Sequence, residues 1–157
     1  MTKGSGRTHA GARLIRAPVE AIYRAFINPE AMAAWRPPEG MTMRVDDFDP
    51  REGGRFRLVL EYEGEAHVPG KSGGRADIVH GRFGEIVPDR RIVEHVEFES
   101  DDPAFAGTMT VTTVMNPVEG GTEVTIRCDD VPEGISEADH LAGIASSLAK
   151  LARFMER

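Results

Sequence analysis

The sequence predicts an α+β fold in which a curved sheet grips one long helix, with a cavity between them. Three observations predict it. The first is the order of elements: one strand, two short helices, six further strand-like runs and a long amphipathic helix at the C-terminal end. The second is a pair of hairpin-like segments, each of which sorts into one apolar and one polar face. The third is a single apolar stripe along the last helix, which gives the sheet something to enclose.

Residues 1–8 are polar and are expected to form a disordered tail, with a single domain over 9–157. Ala12–Arg16 reads as the first strand. Pro18 then favours a helix start, because its fixed φ suits the first turn. Val19, Ile22, Tyr23 and Phe26 recur at helical spacing. Asn28-Pro29 ends that helix and opens another, with Asn28 as its cap. The second helix reaches Trp35, and Pro37-Pro38 stops it. Met41–Phe48 reads as a strand. Arg55–Tyr62 alternates with period two: Phe56, Leu58, Leu60 and Tyr62 take one face, and Arg57 and Glu61 the other. Gly64–Gly74 contains Pro69 and four glycines and reads as a long flexible loop.

Asp77–Val87 and Ile92–Glu99 flank the turn signal Pro88-Asp89-Arg90-Arg91. A symmetric hairpin places Arg82 opposite Glu97 and His80 opposite Glu99 on one surface. Phe83 then meets Val96, and Gly81 meets Phe98, on the other. Opposite charges across strands are stabilising, so the polar and apolar pairings agree. Met109–Met115 and Thr122–Cys128 flank a second turn over residues 116–121. Here Val111 is expected opposite Ile126 and Thr113 opposite Val124, with Thr112–Thr125 and Thr110–Arg127 on the other face. One apolar and one polar face is what an antiparallel sheet with a single buried side requires. Ser136 caps the last helix, with Asp139 three residues on. Leu141, Ile144, Leu148, Leu151 and Met155 form its stripe. Lys150, Arg153 and Arg157 lie towards its C-terminal end, where cations favour the helix dipole.

Bulk composition narrows the function classes. A chain of 157 residues is expected to form one domain. At this size a chain buries roughly 70% of its unfolded surface, enough for a core without staples. Cys128 is the one cysteine, so no disulfide forms within the chain; this points to a reducing compartment, and so to the cytoplasm. Neither an apolar leader nor a membrane span is visible. The formal net charge is −7 and there is no block of Lys and Arg, which argues against nucleic acid as a partner.

The runs IRAPVEAIYRAFINPEAMAAW, FDPREGGRFR, GRFGEIVPDRRIVEHVEFE and GGTEVTIRC resemble the START-like, Bet-v-type superfamily. Within it the chain is similar to the heat-shock-protein-90 ATPase activator homologue group of small bacterial proteins, over about residues 12–155. The resemblance implies the helix-grip fold: a seven-stranded antiparallel sheet wrapped around the C-terminal helix and closed by the two small helices. It implies a protein that binds lipids, hormones or polyketides, cyclises or hydrolyses a small molecule, or contacts a chaperone; a homodimer is a further possibility. In that family any ATPase is the partner. Two positions depart from the family pattern. Relatives often carry Gly-Trp early in the last helix, where this chain has Gly143-Ile144, and many have an aromatic residue where it has Val96. Loss of an indole there enlarges the cavity or changes its contents.

Few residues offer chemistry. Glu85 and Glu94 fall opposite each other in the expected hairpin, on the face of Phe83, Val96 and Phe98. Two neighbouring carboxylates can split their pKa values and act as acid and base. At a hairpin end they can equally be solvated. Glu94, with its apolar strand neighbours, is the better candidate. The histidines are His9, His67, His80, His95 and His140, and none stands in H-E-x-x-H spacing or beside a second cysteine. No metal site and no cofactor are therefore expected. His80 and His95 are placed on the outward face. His140, in the first turn of the last helix, is a third catalytic candidate if it borders a pocket mouth. There is no G-x-S-x-G turn to support a serine nucleophile. Cys128 sits on an apolar strand face and is expected to pack as a small hydrophobe. The segment Gly70–Gly74, with Lys71 and Ser72, lacks phosphate-loop spacing.

Trp35, Phe56, Leu58, Leu60, Tyr62, Phe83, Glu94, Val96, Phe98, Met109, Val111, Ile144 and Leu148 are the expected pocket lining, and each is also ordinary core material. Trp35 and Tyr62 discriminate best, because each adds a donor that needs a partner or a wet pocket edge. The leading expectation is a small binding protein for a hydrophobic molecule, with a cavity of several hundred Å3 between sheet and helix. A cyclase, dehydratase or hydrolase using the same cavity is the second, and needs an acid or base inside it. A chaperone-contacting or other interaction module is the third, and needs an exposed apolar patch.

Overall fold

A computed structural model describes residues 4–63 and 76–156. Its elements are β1 (Thr8–Ile15), α1 (Val19–Ile27), α2 (Pro29–Trp35), β2 (Met41–Phe48), β3 (Arg55–Tyr62), β4 (Ala76–Val87), β5 (Arg91–Phe98), β6 (Met109–Val118), β7 (Gly121–Asp129) and α3 (Glu137–Met155). The strands form one seven-stranded sheet in the order β1-β7-β6-β5-β4-β3-β2, with every neighbouring pair antiparallel. This is the helix-grip arrangement, with a curled sheet, the C-terminal helix and two short helices after the first strand. The expected loop Gly64–Gly74 lies outside the described residues. No helix among the described residues is long and apolar enough to cross a membrane.

Local chemistry accounts for the helix ends. The Asn28 side chain accepts a hydrogen bond from the Ala31 N–H, and Pro29 fills the first position of α2. Ser136 accepts from the Asp139 N–H at the start of α3. Pro18 stands just before α1 in extended backbone, one residue earlier than a first-turn proline. The last part of the expected tail departs from expectation. The Ser5 hydroxyl donates to the Val131 carbonyl, the Arg7 guanidinium donates to the Pro132 and Ile135 carbonyls, and Thr8 already pairs with Asp129. Polar composition suggested a free end, but these long-range backbone acceptors hold it against the β7–α3 connection.

Both hairpins change their pairs, and of the residues assigned to faces only Glu85 changes side. In β4–β5, Val87 pairs with Arg91 around a three-residue turn in which Asp89 takes a left-handed φ of 64°. The register shifts again between Phe83 and Ile86. Each shift moves the pairing by one residue, so the two together restore the face. His80 therefore meets Glu97, Gly81 meets Val96, and Phe83 meets Glu94. In β6–β7 the strands run on to a two-residue turn at Glu119-Gly120, with Gly120 at φ 89°. Val111 thus meets Cys128 and Thr113 meets Ile126.

The core lies between the concave face of the sheet and the three helices. On α3, Ile144, Ser147, Leu148, Leu151 and Ala152 are buried. Leu141, expected in the stripe, is 37% exposed and stands outside the buried face formed by Ile144, Ser147, Leu148, Leu151 and Ala152. The helix comes closest to β1 and α2. Gly11 makes this possible: a Cβ there would lie 2.8 Å from Ile144 Cγ2.

Candidate functional site

One row of residues crosses the concave face from β4 to β1. Phe83 pairs with Glu94, Glu94 with Val111, Val111 with Cys128, and Cys128 with His9. All five side chains are buried. Strand alternation puts them on one face, so polar atoms stand along a floor that is otherwise apolar.

Glu94 is the most constrained of them. It is 3% exposed, yet both of its oxygens are occupied. Arg36 Nη2 donates to Oε1 at 2.6 Å and Nη1 donates to Oε2 at 3.0 Å. This is a bidentate, charge-assisted pair, the strongest form of carboxylate hydrogen bonding. Arg36 caps the C-terminal end of α2 and reaches down from it, with 21% of its side chain exposed. The segment that carries it is fastened to α3 at three points. The Ser147 hydroxyl donates to the Arg36 carbonyl at 2.6 Å, Lys150 Nζ donates to the Pro37 carbonyl at 2.6 Å, and the Glu39 N–H donates to Ser146 Oγ at 2.9 Å. Burial opposes the Arg36 charge, and the Glu94 carboxylate more than offsets it, so the guanidinium pKa lies above its ordinary value. Burial pushes the neighbouring Cys128 thiol up to about 12, against the pull of Arg36 and with some help from Glu94 and Asp129. Such a thiol is a packing group, not a nucleophile.

A second polar group stands at the N-terminal end of α3. His9 is 4% exposed, and its Nδ1 faces His140 Nδ1 at 2.7 Å, so one ring donates to the other. The rings meet edge to face, with centroids 5.0 Å apart. Half-buried Tyr62, at the end of β3, has its hydroxyl pKa raised by burial and then by the carboxylates of Asp77 and Asp139. Asp77 is itself buried, on the β4 face that carries Val79 and Phe83.

The expected lining is gathered together. Phe56, Leu58, Phe83, Glu94, Val96, Met109, Val111, Ile144 and Leu148 are buried in one continuous core, while Leu60 and Phe98 are partly buried against it. Trp35 is fully buried but is no wet edge. Its indole N–H donates to the Ala25 carbonyl at 3.0 Å, and its ring stands edge to face with Phe26 at 4.6 Å. The Glu85–Glu94 dyad does not form. The register shift turns Glu85 outward, where it pairs with Arg91 at 3.2 Å and is exposed. Glu94 faces Phe83 instead. His80 and His95 lie on the outer face and are exposed, as expected. Among the described residues no group of three or more His, Cys, Asp or Glu is placed to hold a metal ion. Two clefts of about 470 and 570 Å3 open on the surface, and neither lies between the sheet and α3.

Sequence reasoning missed Arg36, the His9–His140 contact and Asp77. Asp77 was within reach, because alternation from Phe83 through Val79 puts it on the inner face. Arg36 carries no local signal: a basic residue between a short helix and two prolines reads as surface.

The sequence pattern of the family described as Activator of Hsp90 ATPase homolog 1-like protein matches residues 16–156. The chain is similar to a protein of known structure from Chromobacterium violaceum, at 30% identity and a TM-score of 0.84, covering 96% of this chain and 99% of that one. It is also similar to a protein from Rhodobacter sphaeroides, at 24% identity and TM-score 0.78, covering 99% and 95%. An AHSA1-like protein from Aeromonas hydrophila shares the fold at 20% identity and TM-score 0.72, covering 96% and 92%. No curated protein matches the sequence.

Proposed function

The chain belongs to the Activator of Hsp90 ATPase homolog 1-like family, and from that premise we propose that it binds a small hydrophobic molecule between its sheet and α3. The observation that carries this reading is the buried bidentate Arg36–Glu94 pair on an apolar concave floor. A buried ion pair is a poor source of stability, since well-packed apolar residues in its place are often neutral or better. In a ligand site it has a use. Apolar walls supply affinity, and a few fixed polar atoms orient the ligand. A guanidinium has five N–H donors, and the bidentate contact uses two of them. The others suit a ligand carbonyl or hydroxyl oxygen. Seating of α3 at the β1 edge also supports the reading, because the helix packs far more closely on β1 than on β3 to β6. The half-buried end, formed by Leu60, Tyr62 and Phe98 with exposed Leu141, is the proposed entrance.

Native mass spectrometry of the protein purified from its own cells tests this. The expected result is a co-purifying small molecule that is lost from an Arg36→Met/Glu94→Leu double variant. The reading fails if the wild type carries no small molecule and also takes up no apolar probe such as anilinonaphthalene sulfonate.

A further inference from the structure

The outer face of the sheet carries an arrangement that the interior site does not use. Arg55 on β3 pairs with Arg82 on β4, and Arg82 pairs with His95 on β5. Three basic side chains therefore stand side by side across three strands, and all three are exposed. Like charges directly opposite on neighbouring strands repel, so this row works against the sheet. Carboxylates are not scarce in a chain with 26 Asp and Glu against 19 Lys and Arg. Several surface arginines are neutralised, Arg57 by Asp46 and Glu99, Arg44 by Asp46, Arg91 by Glu85 and Arg127 by Asp129, while Arg13, Arg16, Arg24 and Arg90 stand exposed without a carboxylate among the described residues, but singly, not in a cross-strand row. Among the described residues, Arg55 and Arg82 have no carboxylate within ion-pair distance.

The row lines the cleft of about 570 Å3. Its neighbouring row holds two carboxylates. Glu97 is engaged by His80 at 3.2 Å and by the Thr108 hydroxyl at 3.0 Å, whereas Asp47, opposite Arg57 in register, makes no ion pair among the described residues. The imidazole of His95 is held in place: its Nδ1 meets Thr110 Oγ1 at 3.2 Å, and a Cβ at Gly84 would lie 2.7 Å from its Nε2. Glycine at position 84 thus leaves room for the ring.

We propose that Arg55, Arg82 and His95 form an oxyanion site on the outer face, which takes the phosphate or carboxylate group of a small molecule. Guanidinium forks match both groups in geometry. The ligand neutralises the repulsion that the row builds in. Because the site is open to solvent, binding is salt-sensitive.

The test is a titration of the full chain with inorganic phosphate at fixed ionic strength, followed by amide resonances. Saturable shifts confined to Arg55, Arg82, Gly84 and His95 are expected. Arg55→Gln and Arg82→Gln should each weaken binding by about ten-fold, in line with the loss of a charge-assisted hydrogen bond. A parallel titration with acetate separates the sources: a stronger response to phosphate assigns a phosphorylated ligand, and a stronger response to acetate a carboxylate. Removing one arginine relieves repulsion, so both variants should unfold no earlier than wild type, and lost binding cannot then be blamed on lost fold. Shifts that never saturate, that spread over the paired arginines, or that persist in the Arg55→Gln/Arg82→Gln double variant overturn the proposal.

Discussion

At Glu94 the two halves of an ion pair have unequal consequences. Glu94→Ala leaves the Arg36 guanidinium facing an apolar floor without its counter-charge, and Arg36→Ala leaves a carboxylate that is 3% exposed. Breaking a buried pair from one side costs about 3–5 kcal/mol. The partial exposure of Arg36, at 21%, puts Glu94→Ala at the lower end of that range, because water can reach the stranded guanidinium. Replacing both with Met and Leu should return stability to within about 1 kcal/mol of wild type. Urea unfolding of the three variants measures this; equal costs for the two single variants would refute the asymmetry, and a double variant as costly as either single would refute the compensation. Half of the pair was legible in the sequence. Glu94 shares its strand face with Ile92, Val96 and Phe98, so its inward direction follows from period two. Arg36 does not, because its partner lies 58 residues away and no local pattern encodes that. Glu85 misled for a related reason: a single register irregularity decides its face, and nothing in its neighbours announces one.

At the level of elements, faces were easier to read than pairs. A face needs only alternation along one strand, and a pair needs the turn. The β6–β7 strands continue through Pro117 and Val118 to Glu119-Gly120, so a six-residue loop in the sequence becomes a two-residue turn. Element ends with side-chain caps, Asn28 and Ser136, were legible because the capping chemistry is local. The seating of α3 on β1 was not, since it depends on what a glycine leaves empty. Gly11→Ala forces a Cβ to within 2.8 Å of Ile144 Cγ2, an overpacking expected to cost about 1–3 kcal/mol. Ile144→Ala alone costs about 2–5 kcal/mol by cavity formation. The double variant should cost less than the two added together, because removing Cγ2 gives the new methyl its space. A double-mutant cycle by chemical denaturation measures the coupling. Strict additivity would mean that α3 shifts freely over β1.

For the whole molecule, Cys128 reports how tightly the grip is closed. The thiol lies under Arg36 and between Val111 and His9 in the inner row, so a reagent reaches it only when α2 or α3 lifts from the sheet. Its pKa is about 12 in the folded chain and returns towards the ordinary thiol value on unfolding. The folded state therefore holds the proton more tightly. This stabilisation is fully present below the unfolded thiol pKa and is lost as pH rises from there towards 12. At pH 8 disulfide reagents should label Cys128 at a rate set by opening, far slower than a free thiol and rising with added urea. An apolar ligand seated between sheet and α3 must slow the labelling in proportion to its occupancy, because it stabilises the closed form by mass action. An inorganic phosphate ion bound at Arg55 and Arg82 leaves the inner row untouched and stabilises only the sheet that carries it. It should slow labelling only through whole-chain opening and leave the component that arises from α2 or α3 lifting alone. Labelling of Cys128 at the free-thiol rate at pH 8 would show that the helices do not close over the sheet in solution.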